Sequence, residues 1–357
     1  MSDNETILAD TATRLFQDLC TPAVINDAEN GTFPAQLWST LEESGLTLTW
    51  VPDHLGGTGA EIADGFTVIR IAGQFAAPVP LAETMMAGLV LAQAGIETPP
   101  GKLTLAPVLP DERIELGADG TLRGAATSVP FARHADHIAV LAHRGGSPVV
   151  AVVAARDCAT GEDTNLAGEP RDHVSFDDVT PVAVRDAPDG FGADTITALG
   201  AAVRAMQMSG ALARVLDQSL QYATERVQFG RPISQFQAIQ HNLATLAGEV
   251  AAATAAADAG AEALGSGLRL DNETLAEIAT AKLRVGEAAG TGSAIAHQVH
   301  GAMGFTYEHS LHHATRRLWS WRDEFGTENE WAVRLGRLFA KRGADALWPT
   351  VTGTREE

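Results

Sequence analysis

Two segments of the chain hold residues whose types and spacing suit ligand chemistry. In ERVQFGRPISQFQAIQHNLA, residues 225–244, a helix ending near Arg226 sets a guanidinium beside a Phe229-Gly230 turn. Pro232 suits the first turn of a following helix, whose unpaired N–H groups and positive dipole end attract anions. A cation, a glycine turn and a helix start this close together form a receptor for a pyrophosphate, with Gln237 one turn deeper as a polar reader. The plainer alternative is a helix–helix turn with a surface arginine. The second segment is AHQVHGAMGFTYEHSLHHATRRLW, residues 296–319. Gly301 and Gly304 allow a backbone to approach a ligand closely, and Gln298 lies one turn earlier. His297, His300, His309 and His312 include pairs three apart, but no HExxH motif or cysteine partner accompanies them, so no metal is expected.

The elements that must position these segments fall into three parts, 1–102, 103–188 and 189–357. Leu8, Ala12, Leu15 and Leu19 give the first helix one apolar face, and Pro34 opens another that carries Leu37, Trp38 and Leu41 and stops near Gly45. VPDHLGGTGA reads as a turn. Its glycines could cradle a phosphate, but they lack the lysine of a P-loop and the spacing of a dinucleotide fingerprint. A long helical pattern starts near Ala60. At Pro99-Pro100-Gly101 the period changes, and HIAVLA, SPVVAVVA and HVSFDDV read as strands of a mainly antiparallel sheet, with a hairpin loop at Arg144-Gly145-Gly146. From about Asp194 the period is helical again. Leu199, Val203, Met206, Gly210, Ala213 and Leu220 mark one helix face; Phe236, Ile239, Leu243, Leu246 and Val250 mark the next. The alanine-rich run 251–263 is a helix whose small side chains permit close packing rather than a linker. The expected fold class is α+β, mainly α: N-terminal helices, a middle β domain and a C-terminal bundle of four or five helices.

Composition bounds the function. The 357 residues hold 45% hydrophobic and 20% charged residues, a globular balance. With 25 Lys and Arg against 45 Asp and Glu, the net charge of −20 argues against nucleic acid and anionic lipid as partners. Cys20 and Cys158 are too few for a disulfide framework, and Cys20 reads as a reduced core thiol. No secretory leader or membrane-spanning run is visible, so a cytoplasmic location without membrane insertion is expected.

The stretch R-x-Q-F-G-x-P-I-x-x-F-Q-x-I-Q, from Arg226 to Gln240, resembles the signature of the acyl-CoA dehydrogenases, as does Q-x-x-G-x-x-G-F-T-x-E from Gln298 to Glu308. VPDHLGGTGA is similar to the family's N-terminal V-P-x-x-x-G-G-x-G, and the helix–sheet–helix order matches along nearly the whole chain. The resemblance implies FAD bound between subunits. Arg226, Phe229, Ile233, Phe236 and Gln237 would meet the pyrophosphate and adenosine end on one protomer, Gln298, Gly301 and Gly304 would approach from its neighbour, and Thr327 would also contact the cofactor. It further implies an acyl-CoA substrate, an electron-transfer flavoprotein or similar acceptor, and a homodimer or homotetramer. A carboxylate would take the α-proton while flavin N5 takes the β-hydride, leaving a 2,3-enoyl-CoA.

The sequence departs from the family where that carboxylate should stand. The common base is the Glu of an E-G-T element. Here the chain reads Asp323-Glu324-Phe325-Gly326-Thr327, so Phe325 takes the base position and Glu324 comes one residue early. The family's other base position falls on Gly200. The flavin-wrapping T-E-P-x-x-G-S-D segment is missing, and Ser128-Val129-Pro130 stands where W-[IV]-[ST] flanks the ring. This mixture resembles short actinobacterial subunits that work as heterotetramers with a longer acyl-CoA dehydrogenase subunit on steroid-CoA side chains. Glu324 is the candidate base within this chain, at even standing with a solvated acid at a helix end. The expectation is that it points along the surface and that no base is present. Arg316, Arg317 and Arg322 could meet CoA phosphates or pair with nearby acids. A redox-inactive structural or regulatory paralogue is the alternative function.

Overall fold

The computed structural model describes residues 3–265 and 268–352; residues 353–357, the end of the third expected part, lie outside the described residues. The chain begins with α1 (Asp3–Leu19), α2 (Pro22–Glu29) and α3 (Ala35–Glu43). Ala12 and Leu15 of α1 and Leu37, Trp38 and Leu41 of α3 are buried, as their spacing requires. α2 carries start signals that the pattern reading passed over, with Thr21 capping the Val24 N–H and Pro22 at the first position. The single long pattern after Ala60 is two helices, α4 (Ile62–Gln74) and α5 (Leu81–Gln93). Ala76 sits at φ 50 between them, and Pro78 and Pro80 prevent continuation. The glycines of VPDHLGGTGA make a tight turn in which a Cβ on Gly57 would collide with the Val51 carbonyl.

Eight strands form the middle layer: β1 (Leu103–Ala106), β2 (Ile114–Leu116), β3 (Leu122–Pro130), β4 (His137–Arg144), β5 (Ser147–Ala154), β6 (Ala159–Gly161), β7 (Arg171–Val179) and β8 (Ala183–Asp186). Their order is β6-β7-β3-β2-β4-β5-β8, with β1 also on β4. Most pairs are antiparallel, but β1 and β2 run parallel to β4, so the sheet is mixed. Arg144 opposite Ser147 closes a two-residue turn with Gly145 at φ 59 and Gly146 at φ 91, conformations that glycine adopts without strain.

The third part is helical: α6 (Ala193–Glu225), a short hairpin of β9 (Val227–Gln228) and β10 (Arg231–Pro232), α7 (Gln237–Ala263), α8 (Asn272–His300), α9 (Leu311–Trp321), α10 (Glu328–Arg342) and α11 (Leu347–Thr352). The alanine run belongs to α7. Leu220 is exposed, so the buried face of α6 runs instead through Val215 and Ser219. α4 crosses α6 with backbones touching, because a Cβ on Gly73 would strike the Gln207 carbonyl and one on Gly210 the Arg70 carbonyl. Among the described residues, no helix is long and apolar enough to cross a membrane.

Candidate functional site

Arg226 is the C-cap of α6, where the backbone turns extended (φ −74, ψ 117). Its side chain is exposed and makes no hydrogen bond or ion pair with any described residue. The next residues pair as β9 and β10 around Phe229 (φ 52) and Gly230 (φ 79), the left-handed geometry of a two-residue hairpin turn. This corrects the expected helix start at Pro232. Pro232 lies in β10, the Ile233 N–H donates back to the Arg226 carbonyl at 2.8 Å, and α7 begins only at Gln237, with Phe236 as its N-cap. Gln237 is therefore the first helical residue and exposed, not one turn in. Phe229 is 93% exposed. The Arg231 guanidinium lies 4.3 Å from the centre of the Phe236 ring, and Ile233 packs on Ala223, Leu243 and Val299.

The second motif sits beside the first on the same chain. The Tyr222 ring, one turn before Arg226, stacks on His300 of α8 with ring centres 4.5 Å apart. Gln298 is exposed near the end of α8, and Gly301 follows at φ 58 with open space around it. The ends of α6 and α8 therefore meet within one chain, which brings the two motifs close together. Gly304 differs from Gly301. A Cβ there would lie 3.1 Å from His297 Nδ1, His300 Cβ and Leu311 Cδ2, so this glycine lets the turn rest closely on α8 and the start of α9. The imidazoles are used locally: His297 Nε2 meets Thr315 Oγ1 at 3.0 Å, and His312 Nδ1 meets the His309 carbonyl at 2.8 Å. Glu29, His312 and His313 come within ligating reach of one another. Both oxygens of Glu29, however, accept from guanidinium groups, Arg316 at 2.7 Å and Arg317 at 3.0 Å.

A cleft of ≈ 390 Å³ opens between the sheet and the bundle, lined by Val108, Leu109, Ser128, Pro130, Trp319 and Phe325 among others. Phe325 has φ 54, and its ring presses onto α6 where a Cβ on Gly200 would collide with it. The two positions at which the resemblance implies a base are therefore in contact, and a phenyl ring fills the space between them.

Glu324 departs from expectation. Its side chain, only 18% exposed, turns inward: Oε1 accepts from Arg171 Nε and Oε2 from Arg204 Nε, both at 2.7 Å. Burial pushes its carboxyl pKa up, but the two cations and their hydrogen bonds outweigh burial and hold it at about 2. The pair extends into a ladder of alternating charge. Arg204 Nη2 reaches Glu83 at 2.8 Å, Arg171 Nη2 reaches Glu169 at 3.0 Å, and Arg317 joins Glu169 (3.1 Å) to Glu29. Sequence patterns passed over Arg171, Arg204, Glu83 and Glu169. The one available signal was Arg204, a lone cation in an apolar helical run, since such residues are buried only when paired. Thr327 caps α10, its hydroxyl accepting the Glu330 N–H at 3.4 Å.

Arg316, Arg317 and Arg322 are all committed to acids, the last to Glu328 at 2.8 Å. Arg337 and Lys341 are not, making no ion pair with any described residue. With Arg334 and Arg342 they line an open groove of ≈ 850 Å³ with Pro110, Thr195 and Asp271. Pro110 of the groove follows directly in the chain on Val108 and Leu109 of the cleft wall.

Residues 2–98 match the acyl-CoA dehydrogenase N-terminal domain and residues 193–329 the acyl-CoA dehydrogenase C-terminal domain. The chain is 30% identical over 316 residues to acyl-CoA dehydrogenase IpdE2 of Mycobacterium tuberculosis, covering 86% of this chain and 88% of that protein. Among solved structures, the ChsE4-ChsE5 complex from Mycobacterium tuberculosis superposes with a TM-score of 0.85 at 23% identity, over 96% of this chain and 99% of that one. Butyryl-CoA dehydrogenase from Megasphaera elsdenii gives 0.83 at 18% identity, over 94% and 98%. Helices, mixed sheet and bundle in this order, two domain matches in register and a relative this similar across most of both chains place the protein in the acyl-CoA dehydrogenase family, whose cofactor is FAD.

Proposed function

We propose that the protein is an FAD-dependent acyl-CoA dehydrogenase subunit that contributes half of a site and works in the cytoplasm with a longer partner subunit of the same family. Phe325 packed on Gly200 carries this reading: the space in which a base would stand is closed, while the nucleotide receptor is kept. The nucleotide end of FAD fits the residues present. Arg226 offers an uncommitted guanidinium, and Phe229, Gln237, Gln298 and Gly301 are exposed in the same two motifs. The ring end fits poorly. The Thr127 N–H and hydroxyl are both taken by Glu112 Oε1, at 2.8 and 2.5 Å, and Pro130 has no N–H to offer.

FAD, when bound, supplies the acceptor for the β-hydride. In this chain Arg226 would hold the pyrophosphate by charge-assisted hydrogen bonds. Arg337 and Lys341 would receive the phosphates of an acyl-CoA whose thioester end enters the cleft, in place of Arg316, Arg317 and Arg322. Glu324 does not serve as the base, since a carboxylate of pKa about 2 held by two arginines has little affinity for an α-proton. The base and the ring cover come from the partner, with an electron-transfer flavoprotein or a similar protein as acceptor. Domains at 1–102, 103–188 and 189–357 belong to the same reading. Phe325 on Gly200 also favours a second reading, a redox-inactive structural or regulatory paralogue.

Co-expression with a longer family subunit separates the two. Flavin absorbance and enoyl-CoA formation by the co-purified complex, with both lost in Arg226→Ala and partly restored in Arg226→Lys, support the half-site. A colourless, inactive complex supports the paralogue. Robust turnover by this chain alone, abolished by Glu324→Gln, contradicts both.

A further inference from the structure

The turn between α9 and α10 carries Glu324 and Phe325, and a single buried side chain ties it down. Lys282, in the first half of α8, is 1% exposed. Its ammonium donates to three carbonyls: Arg322 at 2.6 Å, Gly326 at 2.9 Å and Trp321 at 3.3 Å. The third is the last carbonyl of α9 and the first that of its C-cap, where the helix dipole is negative; Gly326 lies at the far side of the turn. One ammonium therefore spans both ends of the segment that forms an edge of the cleft. Among the described residues no carboxylate forms an ion pair with it.

We propose that Lys282 is the positioning residue for the Phe325 turn, and that loss of its proton releases that turn from α8. All three ammonium hydrogens are in use. A neutral amine keeps only two and turns a lone pair toward a carbonyl oxygen, so at least one strap is lost and a repulsion replaces it. The residue under strain is Phe325 at φ 54, which the straps on either side of it help to hold. Burial lowers the ammonium pKa to about 8, with Arg204 of α6 acting in the same direction. Glu328 of α10 and Glu324 and Asp323 of the turn act against it, and Glu330 of α10 also faces it. The release therefore falls near neutral pH rather than above 10.

The inference does not depend on FAD or acyl-CoA, and its test needs neither. Trp331 Nε1–H donates to the Phe325 carbonyl at 2.9 Å, and Trp321 and Trp319 flank the turn, so tryptophan emission reports its position. The wild-type protein should show a reversible emission change between pH 6 and 9.5 with a midpoint near 8, at constant far-UV circular dichroism. Lys282→Arg, which keeps its charge throughout, should hold the low-pH emission to pH 9.5. Lys282→Met should show the high-pH emission at every pH. If neither variant folds, the ammonium resonance of Lys282 in the wild-type protein decides the matter, since its titration must track the emission. Flat wild-type emission over this range, or a transition that survives in Lys282→Met, overturns the proposal.

Discussion

Glu324 shows how one residue changes meaning with its neighbours. Beside a glycine turn in the linear chain it is a candidate base; between Arg171 and Arg204 it is the centre of a buried ion cluster. Removing one partner of such a cluster leaves uncompensated charge, so Glu324→Gln should cost about 3–5 kcal/mol in urea unfolding at pH 7. The sign of the pH dependence follows from the lowered pKa. The folded value is about 2 against 4.5 for the free group, so the stabilisation is fully present above about 4.5 and is lost as pH falls toward 2. That shift corresponds to roughly 3 kcal/mol. The gap between wild type and variant should therefore narrow on going from pH 7 to pH 3. A gap that stays constant would show that Glu324 stabilises by packing and not by charge.

At the scale of elements, glycines decide how closely helices approach. α4 and α6 cross with Gly73 and Gly210 at the contact, and backbone carbonyls cannot move aside for a methyl group. Gly210→Ala should destabilise by about 1–3 kcal/mol through overpacking. Gly248 on α7 has open space around it and a helical backbone, so Gly248→Ala should instead stabilise by about 0.5–1 kcal/mol. Thermal melts of the two variants should move in opposite directions, which composition alone does not predict. The hairpin after α6 makes a related point. Its Phe229-Gly230 turn uses two left-handed residues, and that geometry, not Pro232, sets where α7 can start.

Across the whole molecule, charge is distributed with a purpose that the net value of −20 conceals. The buried ladder joins α2 and α5, the sheet, α6 and α9, and so consumes the arginines nearest the cleft. Beside Arg226, Arg337 and Lys341 of α10 are left uncommitted for an anionic ligand. From Trp331 to Arg342 this helix has no acid and four basic residues. Arg337→Ala with Lys341→Ala should weaken acyl-CoA binding by about tenfold or more at low salt while leaving flavin content unchanged. The loss should shrink as ionic strength rises and screening takes over. Equal binding of a pantetheine thioester by wild type and variant would locate the effect at the phosphates. Equal binding of acyl-CoA would remove the groove from the site.

The linear order of residues by itself determined the architecture and singled out the proposed nucleotide receptor. Helical and strand periods are local properties, and they change at Pro99-Pro100 and again near Asp194 whatever the chain later packs against. Arg226, Phe229, Gln298 and Gly301 were legible for the same reason, each lying in a short contiguous motif. The break between α4 and α5, the start of α7 and the meeting of the α6 and α8 ends were not legible in this way, because each depends on backbone conformation or on which helix ends meet. Only the tertiary structure decided the fate of the carboxylate. Glu324 lies 120 residues from Arg204 and 153 from Arg171 in the chain, and no local pattern records that three elements converge there. Electrostatic environment is a property of that convergence: the side chain that in sequence is either a candidate base or a solvated acid is held ionised by arginines that only folding brings within 2.7 Å.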